Sequence, residues 1–202
     1  YEQLLKDFGE NRGGKLFYPY IGSGFGKGSL VELADGSTKY DFITGIGVHY
    51  MGHVHPDIVE AQVDAAISNT PMQGHLQQNT DSTEFVSLML EQANKYGGDF
   101  SHCFLTSSGV MAIENALKIC FQKNSPCHRV LAFEKCFAGR TLAVAQITDK
   151  AANREGLPDT LKVDYIPFYN YKDHQGSIDR ACEALRKIIA RYPCQHSSFV
   201  ME

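Results

Sequence analysis

From residue 102 to residue 201, short apolar runs alternate with amphipathic helical patterns, and this alternation leaves few architectures open. The segments "HCFLTSS" (102–108), "RVLAF" (129–133), "LKVDYIPF" (161–168) and "SSFVM" (197–201) have the length and residue types of strands. Between them, "GVMAIENALKICF" (109–121) and "SIDRACEALRKIIARY" (177–192) carry apolar stripes at helical spacing. The second stripe runs through Ile178, Cys182, Leu185, Ile189 and Tyr192. "GRTLAVAQI" (139–147) also reads as a helix. Strands that alternate with helices form crossover units, so the expected fold is α/β, a mostly parallel sheet with flanking helices. The pattern is still opening a strand at Met201, and the segment therefore reads as a truncated domain.

The first hundred residues follow other periods. "LVELADGSTKYDF" alternates around Asp35-Gly36 and predicts a β-hairpin. The stretch before it, "GSGFGKGS" (22–29), has the glycines and lysine of a phosphate-binding loop but fails both common fingerprints. A Walker loop needs Ser or Thr after Gly26-Lys27, where Gly28 stands, and the dinucleotide pattern needs a third glycine where Lys27 stands. No helix comes after it to present an N-terminus to an anion, so the stretch reads as a flexible lead into the hairpin. Two amphipathic helices come next. One opens at Pro56, with a stripe through Val59, Val63, Ala66 and Ile67; the other has Asp81 and Glu84 at capping-box spacing and Gly97 as its stop. Residues 1–50 are assigned to an N-terminal hairpin segment belonging to a small domain, and 51–202 to the first part of a larger, incomplete domain.

Composition excludes several classes of function. The net charge of −4 and the lack of long basic runs argue against nucleic acid and anionic membrane. No apolar run approaches the ~20 residues of a membrane span, and "YEQLLKDFGENRGG" lacks a signal peptide's apolar core. The expected location is cytoplasmic or an organelle matrix. Six cysteines without a C-x-x-C pair read as free thiols, and no paired set of metal ligands stands out.

Two turns concentrate the chemistry. In "LTSSGVMAIENALKIC" (105–120) a strand ends, Ser107, Ser108 and Gly109 make the turn, and a helix begins at once. Orphan N–H groups and the helix dipole favour an anion there, although Ser108 acting only as a helix cap explains the same composition. "FEKCFAGRTLA" (133–143) sets an aromatic, a glycine and an arginine at what should be the same edge of the sheet. Phe137 there can stack on a flat cofactor and Arg140 can hold a carboxylate; a core ring and a solvated arginine fit equally well. His53 and His55 invite a proton-transfer reading, as histidine in general does, but read as part of a turn before Pro56. Glu114 and Lys118, four apart, read as a surface ion pair.

Taken in order, "GKGSLVELADGSTKYDFITGIGVHYMGHVHPDI", "TSSGVMAIENALKIC", "FAGRT" and the terminal "FVME" resemble the N-terminal half of a class III aminotransferase dependent on pyridoxal 5'-phosphate (PLP). This is the group of acetylornithine, ornithine and 4-aminobutyrate aminotransferases, and the match runs from about residue 15 onward. The resemblance implies the type I fold of PLP-dependent transferases and transfer of an amino group from an amino acid or ω-amine to a keto acid such as 2-oxoglutarate. It further implies that Ser108, Gly109 and Val110 hold the cofactor phosphate, that Phe137 stacks on the pyridine ring and that Arg140 binds a substrate carboxylate. Glu202 would open a segment near the cofactor, and Phe17 and Tyr18 fall near an aromatic that touches substrate in some members. Val110 and Met111 replace a Ser or Thr and a Glu common in the family, and Ala138 replaces a His or Trp. The Schiff-base lysine and the acid facing the pyridine nitrogen are expected downstream, which leaves no covalent catalytic residue within the 202. Small-molecule amino and keto acids and a homodimer are the expected partners. The competing readings are a non-catalytic phosphate-ligand or partner-binding domain, and a related aminomutase or racemase.

Overall fold

The computed structural model describes residues 1–14, 16, 18–68 and 79–202, and it divides into two compact units, Tyr1–Met89 and Leu90–Glu202. Phe17 lies outside the described residues.

The first unit opens with helix α1 (Glu2–Asn11). Strands β1 (Gly22–Lys27), β2 (Leu30–Leu33) and β3 (Thr38–Tyr40) come next and form an antiparallel meander in that order. The expected hairpin is present: Leu30, Val31 and Glu32 stand opposite Tyr40, Lys39 and Thr38. Its turn is held by the Asp35 carboxylate, which accepts the Ser37 N–H (2.9 Å) and Oγ–H (2.7 Å), with Gly36 at φ 81°.

The glycine-rich stretch is a strand rather than a flexible lead. A Cβ at Gly26 would lie 2.9 Å from the Leu30 carbonyl oxygen and 3.2 Å from the His53 Cβ, so glycine here admits close backbone approach. Gly28 and His53 exchange backbone hydrogen bonds of 3.0 and 2.8 Å, and His53 Nε2 lies 2.7 Å from Asp41 Oδ2. That pairing holds the Asp41 carboxyl below the usual carboxylate range and gives His53 a structural partner. A single irregular turn, α2 (Thr44–Gly47), then leads to α3 (Pro56–Ile67), with Pro56 in its first turn as expected. Helix α4 (Thr80–Asn94) is capped by Asn79, whose Oδ1 accepts the Ser82 N–H at 2.7 Å, and not by Asp81, which lies inside the first turn.

The second unit holds α5 (Gly109–Lys123), β4 (Arg129–Phe133), β5 (Lys162–Ile166), α6 (His174–Arg191) and β6 (His196–Val200). The three strands form a parallel sheet in the order β5-β4-β6, as the alternation requires. Residues 101–106 are not a strand, because a strand needs a pairing partner and none of the described strands pairs with them.

Central β4 is buried on both faces. Val130 and Ala132, both 0% exposed, turn to a cluster of Leu117, Cys136, Ala138, Val144 and Ile147. Each fully buried Val, Leu or Ile contributes roughly 1.5–3 kcal/mol, which makes this face the anchor of the unit. Phe133 packs edge-on against Phe168 (centroids 5.2 Å) and tilted against Phe199 (5.1 Å). At the opposite end of the strands, Arg129 donates Nε–H and Nη2–H to the two oxygens of Asp164 (both 2.7 Å), and His196 Nε2 lies 2.8 Å from the same carboxylate. The Tyr192 ring lies 3.7 Å beneath the guanidinium. One carboxylate therefore ties all three strands together, and the Arg129 guanidinium holds the Asp164 carboxyl below its ordinary range.

Candidate active site

Parallel sheets bind ligands beyond the carboxyl ends of their strands, and the Phe137–Arg140 turn follows that end of β4. Helix α5 precedes β4 and packs on β6 and on the 3-10 turn Val144–Gln146. Ser108 caps α5: its backbone is extended (φ −166°, ψ 161°) and its Oγ accepts the Met111 N–H at 3.4 Å. Its carbonyl accepts the Ala112 N–H at 3.0 Å. The N–H groups of Gly109 and Val110 have no acceptor among the described residues. A Cβ built on Gly109 would meet nothing within 4 Å, so the approach to these two donors is open. The cap reading and the anion-site reading of Ser108 are thus compatible, since the cap uses two donors and leaves two.

The segment after β4 does not form the helix expected for 139–147. It closes into a loop stapled by its own polar groups, with only the 3-10 turn Val144–Gln146 in it. Val144, Ala145 and Ile147 are fully buried, so the apolar residues have no solvent face to alternate with. Every N–H from Lys135 to Gly139 has a partner. The Lys135 N–H donates to Asp149 Oδ2 (2.8 Å), that of Cys136 to the Phe133 carbonyl (3.4 Å) and that of Phe137 to Glu202 Oε2 (2.5 Å). The N–H groups of Ala138 and Gly139 both donate to Thr148 Oγ1, at 3.0 and 3.1 Å.

This loop rests on the start of α5. Gly139 has φ 140°, and a Cβ there would overlap the Val110 side chain, so the two turns are in van der Waals contact. Thr141 Oγ1 donates to Glu114 Oε1 at 2.5 Å. Glu114 is therefore half-buried and bound to the loop, and it does not form the expected surface pair with Lys118. Phe137 is 52% exposed although its N–H is bonded, which removes the core-ring reading. Arg140 is exposed and has no ion-pair partner among the described residues. Cys136 faces inward, its Sγ–H donating to the Ile147 carbonyl at 3.1 Å, and burial pushes its thiol pKa up, away from nucleophilic use.

The structure thus brings Val110, Gly139 and Glu114 together with Phe137 and Glu202 on one bonded loop, while Tyr18, stacked on Tyr20 at 5.8 Å, belongs to the first unit. Sequence reasoning misses Thr148 and Thr141; the available signal is a lone threonine ending the apolar run "LAVAQI". Among the described residues no group of three His, Cys, Asp or Glu could hold a metal, and no helix is long and apolar enough to cross a membrane.

The chain is similar to several known proteins. The chain is 30% identical over 155 residues to acetylornithine aminotransferase of Methanopyrus kandleri, a match covering 76% of this chain and 39% of that protein. It is 33% identical over 144 residues to acetylornithine aminotransferase of Streptomyces clavuligerus, covering 71% and 34%. The matched region is thus well under half the length of these relatives. Among solved structures, taurine:2-oxoglutarate aminotransferase of Bifidobacterium kashiwanohense, in complex with PLP and glutamate, superposes with a TM-score of 0.80 at 16% identity, over 100% of this chain and 47% of that one. Ornithine aminotransferase of Toxoplasma gondii gives 0.71 at 19% identity, over 100% and 45%. The fold is therefore that of the PLP-dependent aminotransferases. Because the model of aminotransferase class III matches residues 21–202, the chain belongs to the class III aminotransferase family, and pyridoxal phosphate is the cofactor this membership implies.

Proposed function

We propose that these residues are the cofactor-phosphate, ring-stacking and carboxylate-binding part of an aminotransferase that moves an amino group from an amino acid or ω-amine to a keto acid such as 2-oxoglutarate. The observation that carries this reading is the contact of the Phe137–Arg140 loop, through Gly139, with the open, Ser108-capped start of α5. The residues present fit the cofactor: two unbonded N–H groups and an unobstructed glycine suit a phosphate, and an exposed ring on a rigid loop suits a flat heterocycle.

In this reading Gly109 and Val110 donate their N–H groups to the phosphate, with the Ser108 hydroxyl beside them. The α5 dipole adds about 0.5–2 kcal/mol for a dianion at that end. Phe137 fixes the plane of the ring, and Arg140 orients the substrate by a two-point bond to its carboxylate. Glu202 holds the loop through the Phe137 N–H and so sets where the ring stands. Bound there, pyridoxal phosphate supplies the electron sink for chemistry at the amino-bearing carbon. The covalent lysine and the acid facing the pyridine nitrogen are assigned to sequence outside the 202 residues, and the intact protein is taken to be a homodimer.

The test is to incubate the intact protein with pyridoxal phosphate, reduce it with borohydride, and measure its mass alongside glutamate formation from 2-oxoglutarate and an amino donor. One phosphopyridoxyl group on one lysine, with glutamate produced, is expected. A protein that takes up no phosphopyridoxyl group would overturn the proposal. Cofactor uptake without dependence on a keto acid would convert it to an aminomutase or racemase.

A further inference from the structure

Thr148 is 1% exposed, ends an apolar run, and lies ten residues from the loop it serves. A hydroxyl has one proton to give and two lone pairs to offer, and Thr148 uses all three on two consecutive residues. Its Oγ1 accepts the N–H groups of Ala138 (3.0 Å) and Gly139 (3.1 Å) and donates to the Gly139 carbonyl (2.7 Å). Its own N–H donates to the Val144 carbonyl at 3.1 Å, which fixes the hydroxyl from behind. Next door, the Asp149 carboxylate accepts the Lys135 N–H and the Asp149 N–H returns to the Cys136 carbonyl at 2.9 Å. Lys135 is thereby held at φ 66°, a conformation that side chains other than glycine rarely adopt.

The consequence is geometric. At φ 140° Gly139 has a backbone conformation that glycine adopts freely and other residues rarely do, and its position against Val110 is what sets the loop on the phosphate-facing turn of α5. Glycine by itself favours no single conformation, so a fixed backbone here needs partners for its peptide groups, and those on either side of Gly139 share one buried hydroxyl. Phe137 precedes the two residues this hydroxyl binds and Arg140 comes directly after them, so the same three bonds set the base of both side chains.

We infer that Thr148 is a positioning residue, whose buried hydroxyl locks the Ala138-Gly139 backbone and thereby places Phe137 for the cofactor ring and Arg140 for the substrate carboxylate. This rests on the aminotransferase reading above. Serine at 148 keeps the three bonds; valine keeps the shape and deletes them, leaving two buried N–H groups and a carbonyl without partners.

The experiment uses the intact protein carrying Thr148→Val or Thr148→Ser, with hydrogen exchange resolved to single amides, the visible circular dichroism of bound pyridoxal phosphate, and its dissociation constant. In the wild type the Ala138 and Gly139 amides should exchange at least 100-fold more slowly than that of exposed Arg140. Thr148→Val should raise exchange at those two amides at least tenfold while the β4 amides stay unchanged. It should also weaken cofactor binding at least tenfold and reduce the dichroic band; Thr148→Ser should stay within about threefold of wild type on every readout. Cofactor affinity within twofold of wild type in Thr148→Val, or faster exchange spread evenly over the second unit, would overturn the inference. Should the valine variant fail to fold, unprotected Ala138 and Gly139 amides in the wild type overturn it, and protected ones with a wild-type-like serine variant support it. If the wild-type protein binds no pyridoxal phosphate, the aminotransferase reading fails, and the positioning role fails with it, even where the amide protection survives.

Discussion

The chain has two stretches where glycine and serine crowd together, and they end up doing opposite things. Residues 22–29 carry four glycines and look the more like a phosphate loop, yet they lie in and just beyond strand β1, where a Cβ at Gly26 would stand 2.9 Å from neighbouring backbone. Residues 107–110 carry one glycine, and a Cβ there would meet nothing. Glycine in the first stretch lets backbone approach backbone, and in the second it borders open space. The two differ in the element on their C-terminal side: strand β2 after the first, a fifteen-residue helix with two unbonded N–H groups after the second. An anion site is made by the direction of donors, and composition alone does not supply that.

Substitutions can break this comparison. Gly139→Ala should have the largest effect, about 3 kcal/mol of lost stability, because the new methyl both overlaps Val110 and sits at φ 140°. Thermal denaturation should show it, together with loss of cofactor binding. Gly52→Ala should cost about 2 kcal/mol, since its Cβ would lie 2.9 Å from the Gly28 Cα at φ 89°. Its cofactor affinity should stay within twofold of wild type; a tenfold loss would mean that the glycines around β1 serve the ligand after all.

The Asp164 clamp sharpens the contrast by separating sheet stability from ligand binding. Its carboxyl has a lower pKa folded than unfolded, so the unfolded chain binds the extra proton and stability falls as pH drops below about 4 toward the folded value. Asp164→Asn should remove about 1–2 kcal/mol at pH 7 and flatten that acid limb in urea titrations, with cofactor affinity unchanged. Smallest in stability should be Phe137→Ala, within about 0.5 kcal/mol, because the ring is half exposed. Its effect should appear in the cofactor dissociation constant instead, at least fivefold.

How much of the molecule is legible in the sequence depends on how local each interaction is. The Asp35-Gly36 hairpin, Pro56 at the start of α3 and the alternation giving β4, β5, α6 and β6 are set by neighbours in sequence, and the structure has them as expected. Strand β1 escapes a sequence reading because glycine has poor strand propensity and its pairing with β2 makes it a strand. The helix expected over 139–147 fails because Thr148 binds the Gly139 peptide and Glu114, 27 residues away, binds Thr141, which draws that segment into a loop. The residues proposed to meet the ligand are visible by motif; those that hold them in place are not, since a threonine at the end of an apolar run looks like many others.

The most direct test of the central claim removes one donor and sets a small ring in the open space beside it. Proline is tolerated at the first position of a helix, and Ser108, already extended, suits the residue before it. In the intact protein Gly109→Pro should leave the denaturation midpoint unchanged while the dissociation constant for pyridoxal phosphate rises at least tenfold, about 1.4 kcal/mol for a lost N–H to phosphate bond. A folded Gly109→Pro protein that binds pyridoxal phosphate within twofold of wild type would contradict the account, because the start of α5 would then not be where the phosphate is held.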